Sequence, residues 1–107
     1  MPDEAIRVNV ARAHGVTVLT VEGELDSASA PVLQAALEGL RAGSSVILDL
    51  SGLTFMDSSG VRLMMVHARR MRQARGALFI RCPSPPVQRV VTLTGIDELI
   101  EPHATKR

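Results

Sequence analysis

Apolar and polar positions alternate from the first described run onward. Ile6, Val8 and Val10 are separated by Arg7 and Asn9, which predicts a half-buried strand. Ala13-His14-Gly15 reads as a turn, and Val16-Thr17-Val18-Leu19-Thr20-Val21 follows. That second run is β-branched and apolar on both faces, as a more central strand would be. The two runs are close enough to pair as a hairpin. The Asp and Ser residues before Pro31 offer N-caps, with Pro31 in a first helical turn. Val32, Leu33, Ala36, Leu37 and Leu40 then recur at helical spacing, with Gly43 as the stop.

The pattern then repeats. Val46-Ile47-Leu48 with Leu50 predicts a strand buried on both faces. After Asp57-Ser58-Ser59-Gly60 comes a long helix, with Val61, Met64, Met65, Ala68 and Met71 as its apolar stripe and Gly76 at its end. Ala77-Leu78-Phe79-Ile80 is another short strand. Ser84-Pro85-Pro86 opens a helix that turns Val87, Val90, Val91 and Leu93 inward and closes at Gly95. Leu99-Ile100 is expected to form a last short strand before a polar tail at about 102–107. Strand-strand-helix-strand-helix-strand-helix is the order of an α/β fold, in which repeated strand–helix units imply a mixed, mostly parallel sheet with helices packed against it. Residues 1–107 are expected to make one domain, which the length allows and a second would exceed.

Composition narrows the functional classes. With 46% hydrophobic residues the chain can build a core, but it has two Phe and no Tyr or Trp. Modules that bind single-stranded nucleic acid stack bases on exposed aromatics, so direct nucleic-acid binding is not expected. Cys82 is alone, and His14, His67 and His103 show no ligand spacing, so neither a disulfide, a metal nor a cofactor is expected. The N-terminus lacks an apolar signal run, and no stretch approaches the roughly 18–20 apolar residues that span a bilayer. A cytoplasmic protein without membrane insertion is expected. The net charge of +1 hides a segregation. Ser58 to Ile96 holds seven arginines and no acid, while the remainder carries eleven acids against five bases. Such a stretch is either a set of solvated side chains or a surface for an acidic partner or phosphate.

Common catalytic signatures are missing. There is no Gly-rich phosphate loop ending in Lys-Ser/Thr and no G-x-G-x-x-G. A phosphoacceptor receiver domain needs a lysine near its aspartate, and the lone lysine is Lys106 in the tail. Asp49 is therefore read as an end-of-strand group bonding nearby backbone. Ser58 resembles a nucleophile elbow, but that turn needs glycine where Met56 stands, and no Asp–His pair follows in triad order. What remains is the turn Asp57-Ser58-Ser59-Gly60. Asp or Ser there caps a helix, and a helix N-terminus stabilises nearby negative charge by about 0.3–1 kcal/mol. Arg62 lies one turn beyond Ser58, within reach of a phosphate there, whereas Asp57 opposes one by like-charge repulsion.

Three blocks together resemble one family. They are Val21-Glu22-Gly23-Glu24-Leu25-Asp26, the run from Val46-Ile47-Leu48-Asp49-Leu50-Ser51 to Phe55-Met56-Asp57-Ser58-Ser59-Gly60, and Ser84-Pro85-Pro86-Val87. In this order, across nearly the whole chain, they are similar to the anti-sigma factor antagonists of the STAS domain family, in particular the small bacterial ones that act in partner switching. The resemblance implies a regulatory binding protein and not an enzyme. It implies that Ser58 is phosphorylated by an anti-sigma factor that is also a serine kinase of the GHKL type. Unphosphorylated, the antagonist binds that factor and releases a sigma factor for transcription, often in a stress response; phosphorylated, it lets go. A metal-dependent PPM-type phosphatase restores it. Asp57 then borders the acceptor hydroxyl, Ser59 is its neighbour, and Gly60 keeps the helix start uncrowded for the partner. Asp26 and Ser27 fall in a region that borders the phosphosite in this family. Arg62 stands where members often carry glycine. The alternative within the family is a STAS subunit of a membrane transport or sensory complex.

Overall fold

The structure, a computed structural model, describes residues 6–41, 43–81 and 83–102. Its elements follow the order β1 (Ile6–Ala13), β2 (Val16–Leu25), α1 (Ala30–Glu38), β3 (Ser45–Met56), α2 (Ser58–Gln73), β4 (Ala77–Arg81), α3 (Pro85–Thr94), a 3₁₀ turn (Ile96–Glu98) and β5 (Glu101–Pro102). The five strands lie in sequence order in one sheet. β1 pairs antiparallel with β2, and β2, β3, β4 and β5 run parallel. The α/β order read from the pattern is the observed one.

Local chemistry explains each join. Ala13 pairs directly with Val16, leaving a two-residue hairpin turn in which both His14 (φ 54°) and Gly15 (φ 79°) are left-handed. That combination matches the right-handed twist of the flanking strands. α3 begins with Ser84, whose hydroxyl donates to the Leu53 carbonyl, and ends at left-handed Gly95. At the end of α2, Arg75 takes φ 69°, its N–H bonds the Arg72 carbonyl, and the Gly76 N–H bonds the Met71 carbonyl. This is a Schellman closure with arginine, not glycine, in the left-handed position. Gly76 sits one residue beyond it.

The core is built by register. Leu19, Leu48 and Ile80 stand side by side across β2, β3 and β4, as do Thr17, Val46 and Leu78. Leu33 and Leu37 from α1, Met64, Ala68 and Met71 from α2, and Val87 and Val91 from α3 pack with the apolar members of these rows in one cluster.

Several boundaries differ from the pattern-based reading. The first helix stops at Glu38 with Gly39 as its cap, not at Gly43, and Leu40 reaches the core from beyond the helix. Glycine is a poor helix interior residue, so the earlier one ends the helix. β3 continues six residues past Leu50, to Met56. Its buried positions change from 46, 47, 48 and 50 to 53 and 56 as the β2–β3 register shifts twice, between Thr20 and Glu22 and between Gly23 and Glu24. Bulges break the period of two that marks a strand in sequence. The last strand is Glu101–Pro102, while Leu99 and Ile100 precede it and Ile100 fills the core. Leu93, expected inward, is 78% exposed. It lies two residues, about 200° of helix, from buried Val91. Cys82, His103 and the tail from 103 on lie outside the described residues.

Leu48 is fully enclosed at the middle of β3. Leu48→Ala is expected to cost about 2–5 kcal/mol in denaturant unfolding, because the removed atoms leave a cavity between rigid neighbours.

Candidate functional site

The site forms where two parallel strands end together. Leu25 closes β2 and Met56 closes β3, and they are paired in register. The Asp57 N–H donates to the Leu25 carbonyl at 3.2 Å. The loop of residues 26–29 and the start of α2 therefore leave the same edge of the sheet side by side. The carboxyl ends of parallel strands are where open α/β sheets build binding sites.

The first loop is held by one aspartate. The Asp26 carboxylate accepts from the Ala28 and Ser29 N–H groups, each at 3.0 Å, and from the Ser29 hydroxyl at 3.1 Å. Ser29 is buried, and its hydroxyl also donates to the Glu24 carbonyl at 2.8 Å. Ser27 is left exposed at the tip. Asp26 is thus a strut of the loop, and Ser27 is its outward face.

Asp57 caps α2. Its carboxylate accepts the Ser59 N–H at 2.8 Å, and its carbonyl accepts from Gly60 and Val61 at 3.1 and 3.2 Å. A side-chain cap of this kind contributes about 1 kcal/mol. Ser58 occupies the first helical position and is exposed, whereas Ser59 is half-buried. Gly60, expected to keep the helix start uncrowded, is in close contact with the ends of β2 and β3. It is buried, and a Cβ there would stand 2.6 Å from Met56 Cγ and 2.7 Å from Leu25 Cδ2. The glycine is demanded by the close approach of α2 to the ends of β2 and β3.

Between α1 and α2 runs a groove of about 600 Å³, lined by Ser27, Pro31, Ser58, Ser59, Arg62 and Val66 among others. It gathers four of the residues singled out in the sequence: Ser27, Ser58, Ser59 and Arg62. Asp26, Asp57 and Gly60 support it without lining it. Sequence reasoning missed Gln34 and Leu63, which also line it, as well as Val66 and His67. Val66 had a signal, being an apolar residue off the stripe of the long helix; it is 55% exposed. His67 had none. It is 3% exposed and its Nδ1 has no hydrogen-bond partner among the described residues. Burial first, and then the nearby Arg70 charge, hold its pKa below the ordinary 6.5, with Glu38 opposing in part.

Other chemistry can be placed or set aside. Asp49 is in mid-strand, not at a strand end. Burial pushes its carboxyl up, but the Ser51 N–H and hydroxyl and the Arg81 guanidinium at 3.1 Å outweigh this and hold it below the usual range. It bonds nearby backbone, as expected, and also ties β3 to β4. Among the described residues no three His, Cys, Asp or Glu side chains gather as a metal site, and no helix is long and apolar enough to cross a membrane. A second hollow, of about 480 Å³, lies at the other end of the sheet between Arg12, His14, Arg41 and Ser44.

A family model described as the STAS domain matches residues 7–107. This chain belongs to the STAS domain family. An anti-sigma-B factor antagonist of Listeria monocytogenes is 30% identical over 83 residues, covering 76% of this chain and 73% of that protein. The crystal structure of an anti-sigma factor antagonist from Mycobacterium paratuberculosis has a TM-score of 0.79 at 28% identity, covering 94% of this chain and 86% of that one. Unphosphorylated SpoIIAA, at 24% identity, shares the fold with a TM-score of 0.74 over 92% of this chain and 90% of its own. All three carry the name of anti-sigma factor antagonists, a regulatory role.

Two outcomes follow from this geometry. Gly60→Ala is expected to cost about 1–3 kcal/mol in thermal or denaturant unfolding, since Leu25 and Met56 are both enclosed and must shift. His67 releases its proton more readily folded than unfolded, so the unfolded chain binds more protons near pH 6. Stability is then full above about pH 6.5 and falls as the pH drops below it. Denaturant midpoints at pH 7.5 and 5.5 should separate more in the wild type than in His67→Gln.

Proposed function

We propose that this chain is an anti-sigma factor antagonist whose binding is switched by phosphorylation of Ser58. The observation that carries the reading is the exposed Ser58 hydroxyl at the head of α2, beside a groove and a neighbouring loop. Ser59, by contrast, is half-buried with its N–H taken by Asp57. The names of the STAS relatives support the antagonist role.

The unphosphorylated face, formed by Ser27, Ser58, Ser59 and Arg62 on a frame of Asp26, Asp57 and Gly60, docks on an anti-sigma factor and frees its sigma factor. The anti-sigma factor is a GHKL-type kinase. It transfers the γ-phosphoryl group of ATP to Ser58 Oγ, releasing ADP and the hydroxyl proton. A PPM-type phosphatase hydrolyses the ester and restores the serine. Both partners place the protein in the cytoplasm, as one STAS domain. The energetics suffice: a thousandfold loss of affinity needs about 4 kcal/mol. Burying an unpaired charge at an interface costs about 3–5 kcal/mol.

Incubation of the full chain with its kinase-type anti-sigma factor and ATP should add one phosphate, mapped to Ser58 by peptide mass spectrometry. Ser58→Asp should weaken calorimetric affinity for that factor by at least tenfold with an unchanged circular dichroism spectrum. Phosphate on Ser59 alone, or pull-down of a transporter ATPase instead of a kinase, overturns the assignment.

A further inference from the structure

A phosphate on Ser58 meets a helix terminus that is already in use. The Asp57 carboxylate takes the Ser59 N–H, and the Asp57 carbonyl takes those of Gly60 and Val61. Only the N–H of Ser58 itself is left without a partner in the first turn, among the described residues. The Asp57 carboxylate, one residue away, repels a second negative group. The terminus alone therefore offers a phosphate little compensation.

The nearest cation is uncommitted. Arg62 stands at i+4 from Ser58, where Cβ atoms are about 5–6 Å apart and long side chains meet. Both residues line the α1–α2 groove, whose lining contains no acid. Arg62 is exposed and has no hydrogen bond or ion pair among the described residues. Three other arginines of the acid-free stretch are engaged elsewhere: Arg70 with the Leu37 carbonyl, Arg72 with the Leu99 carbonyl and Arg81 with Asp49. At the groove's far end the buried His67 keeps an unpartnered Nδ1. It lies nine residues along α2, about 13 Å from Ser58, so the phosphate cannot engage it.

We propose that Arg62 clamps the phosphate of phosphorylated Ser58 from within the same chain, an inference that rests on Ser58 being the modified residue. A guanidinium presents paired N–H donors that match phosphate oxygens. Modification then does two things at once. It adds negative charge at the mouth of the groove, and it withdraws the one arginine of the groove lining from any docking partner.

The test uses the full chain with phosphoserine encoded genetically at position 58, so that no kinase is needed. The second ionisation of the phosphate is followed by phosphorus NMR. With Arg62 present its pKa should lie about half a unit to one unit below that in Arg62→Gln, because a contacting cation favours the dianion. Arg62→Lys should fall between the two, keeping the charge but not the fork. Arg69→Gln, an exposed arginine on the same helix, should leave the phosphate pKa in place. The Arg62 Nε–H resonance should also move on phosphorylation. Equal shifts in Arg62→Gln and Arg69→Gln, or none in either, overturn the clamp. Because the phosphoserine is encoded, a negative result here counts against the clamp and not against kinase modification of Ser58, so the two failures are distinguishable.

Discussion

The pairing of Leu25 with Met56, extended by the hydrogen bond from the Asp57 N–H to the Leu25 carbonyl, is the constraint on which the site depends. Parallel neighbours end at the same edge, so the segments that leave them are adjacent although more than thirty residues separate them in sequence. To reach that point β2 and β3 take two register shifts, with Gly23 at φ 107° inside the irregular stretch. The bulges re-aim the strand ends. α2 then closes over Leu25 and Met56 so tightly that Gly60 has no room for a side chain. Rigid packing beneath the turn presents Ser58 above it, which is how a site on a loop gains precision from a scaffold.

Charge is distributed for two purposes. The acid-free stretch from Ser58 to Ile96 looks in sequence like one basic surface, but its arginines are not equivalent. Arg70 and Arg72 reach from the last turns of α2 to the Leu37 and Leu99 carbonyls, fixing that helix to the segments around it. Arg81 is spent on Asp49 in the neighbouring strand. These contacts satisfy backbone and carboxylate groups. Among the described residues, Arg62 is the arginine that lines the groove beside Ser58. The unequal use of like residues is what turns a charge count into a local electrostatic device.

The elements, their order and the α/β class were legible because each helix and strand carries its own period. Apolar residues recur at three and four in α1 and α2 and alternate in β1, and β2 is a β-branched run. Where the period was broken, reading failed. The second half of β3 was invisible because bulges move its buried positions from Leu50 to Leu53 and Met56. Leu93 misled because an apolar residue carries no mark of which way it faces. Of the site, the turn at Asp57 to Gly60 was legible as a cap followed by a hydroxyl, and Ser27, Ser58, Ser59 and Arg62 do share one groove. Gln34, Leu63, Val66 and His67 were not, since the far wall of a groove depends on which helix packs opposite.

By itself the sequence determined what local chemistry can encode. That covers which segments fold as helices and strands, that Asp57 caps the long helix, and that a serine hydroxyl stands at its head. The tertiary structure alone decided which of those local features became one surface. Register across β2 and β3 brought Ser27 beside Ser58, packing turned Gly60 inward, and burial left His67 neutral-leaning within the groove wall. Such placements depend on contacts between residues far apart in the chain, and a linear pattern holds no record of distance across a sheet.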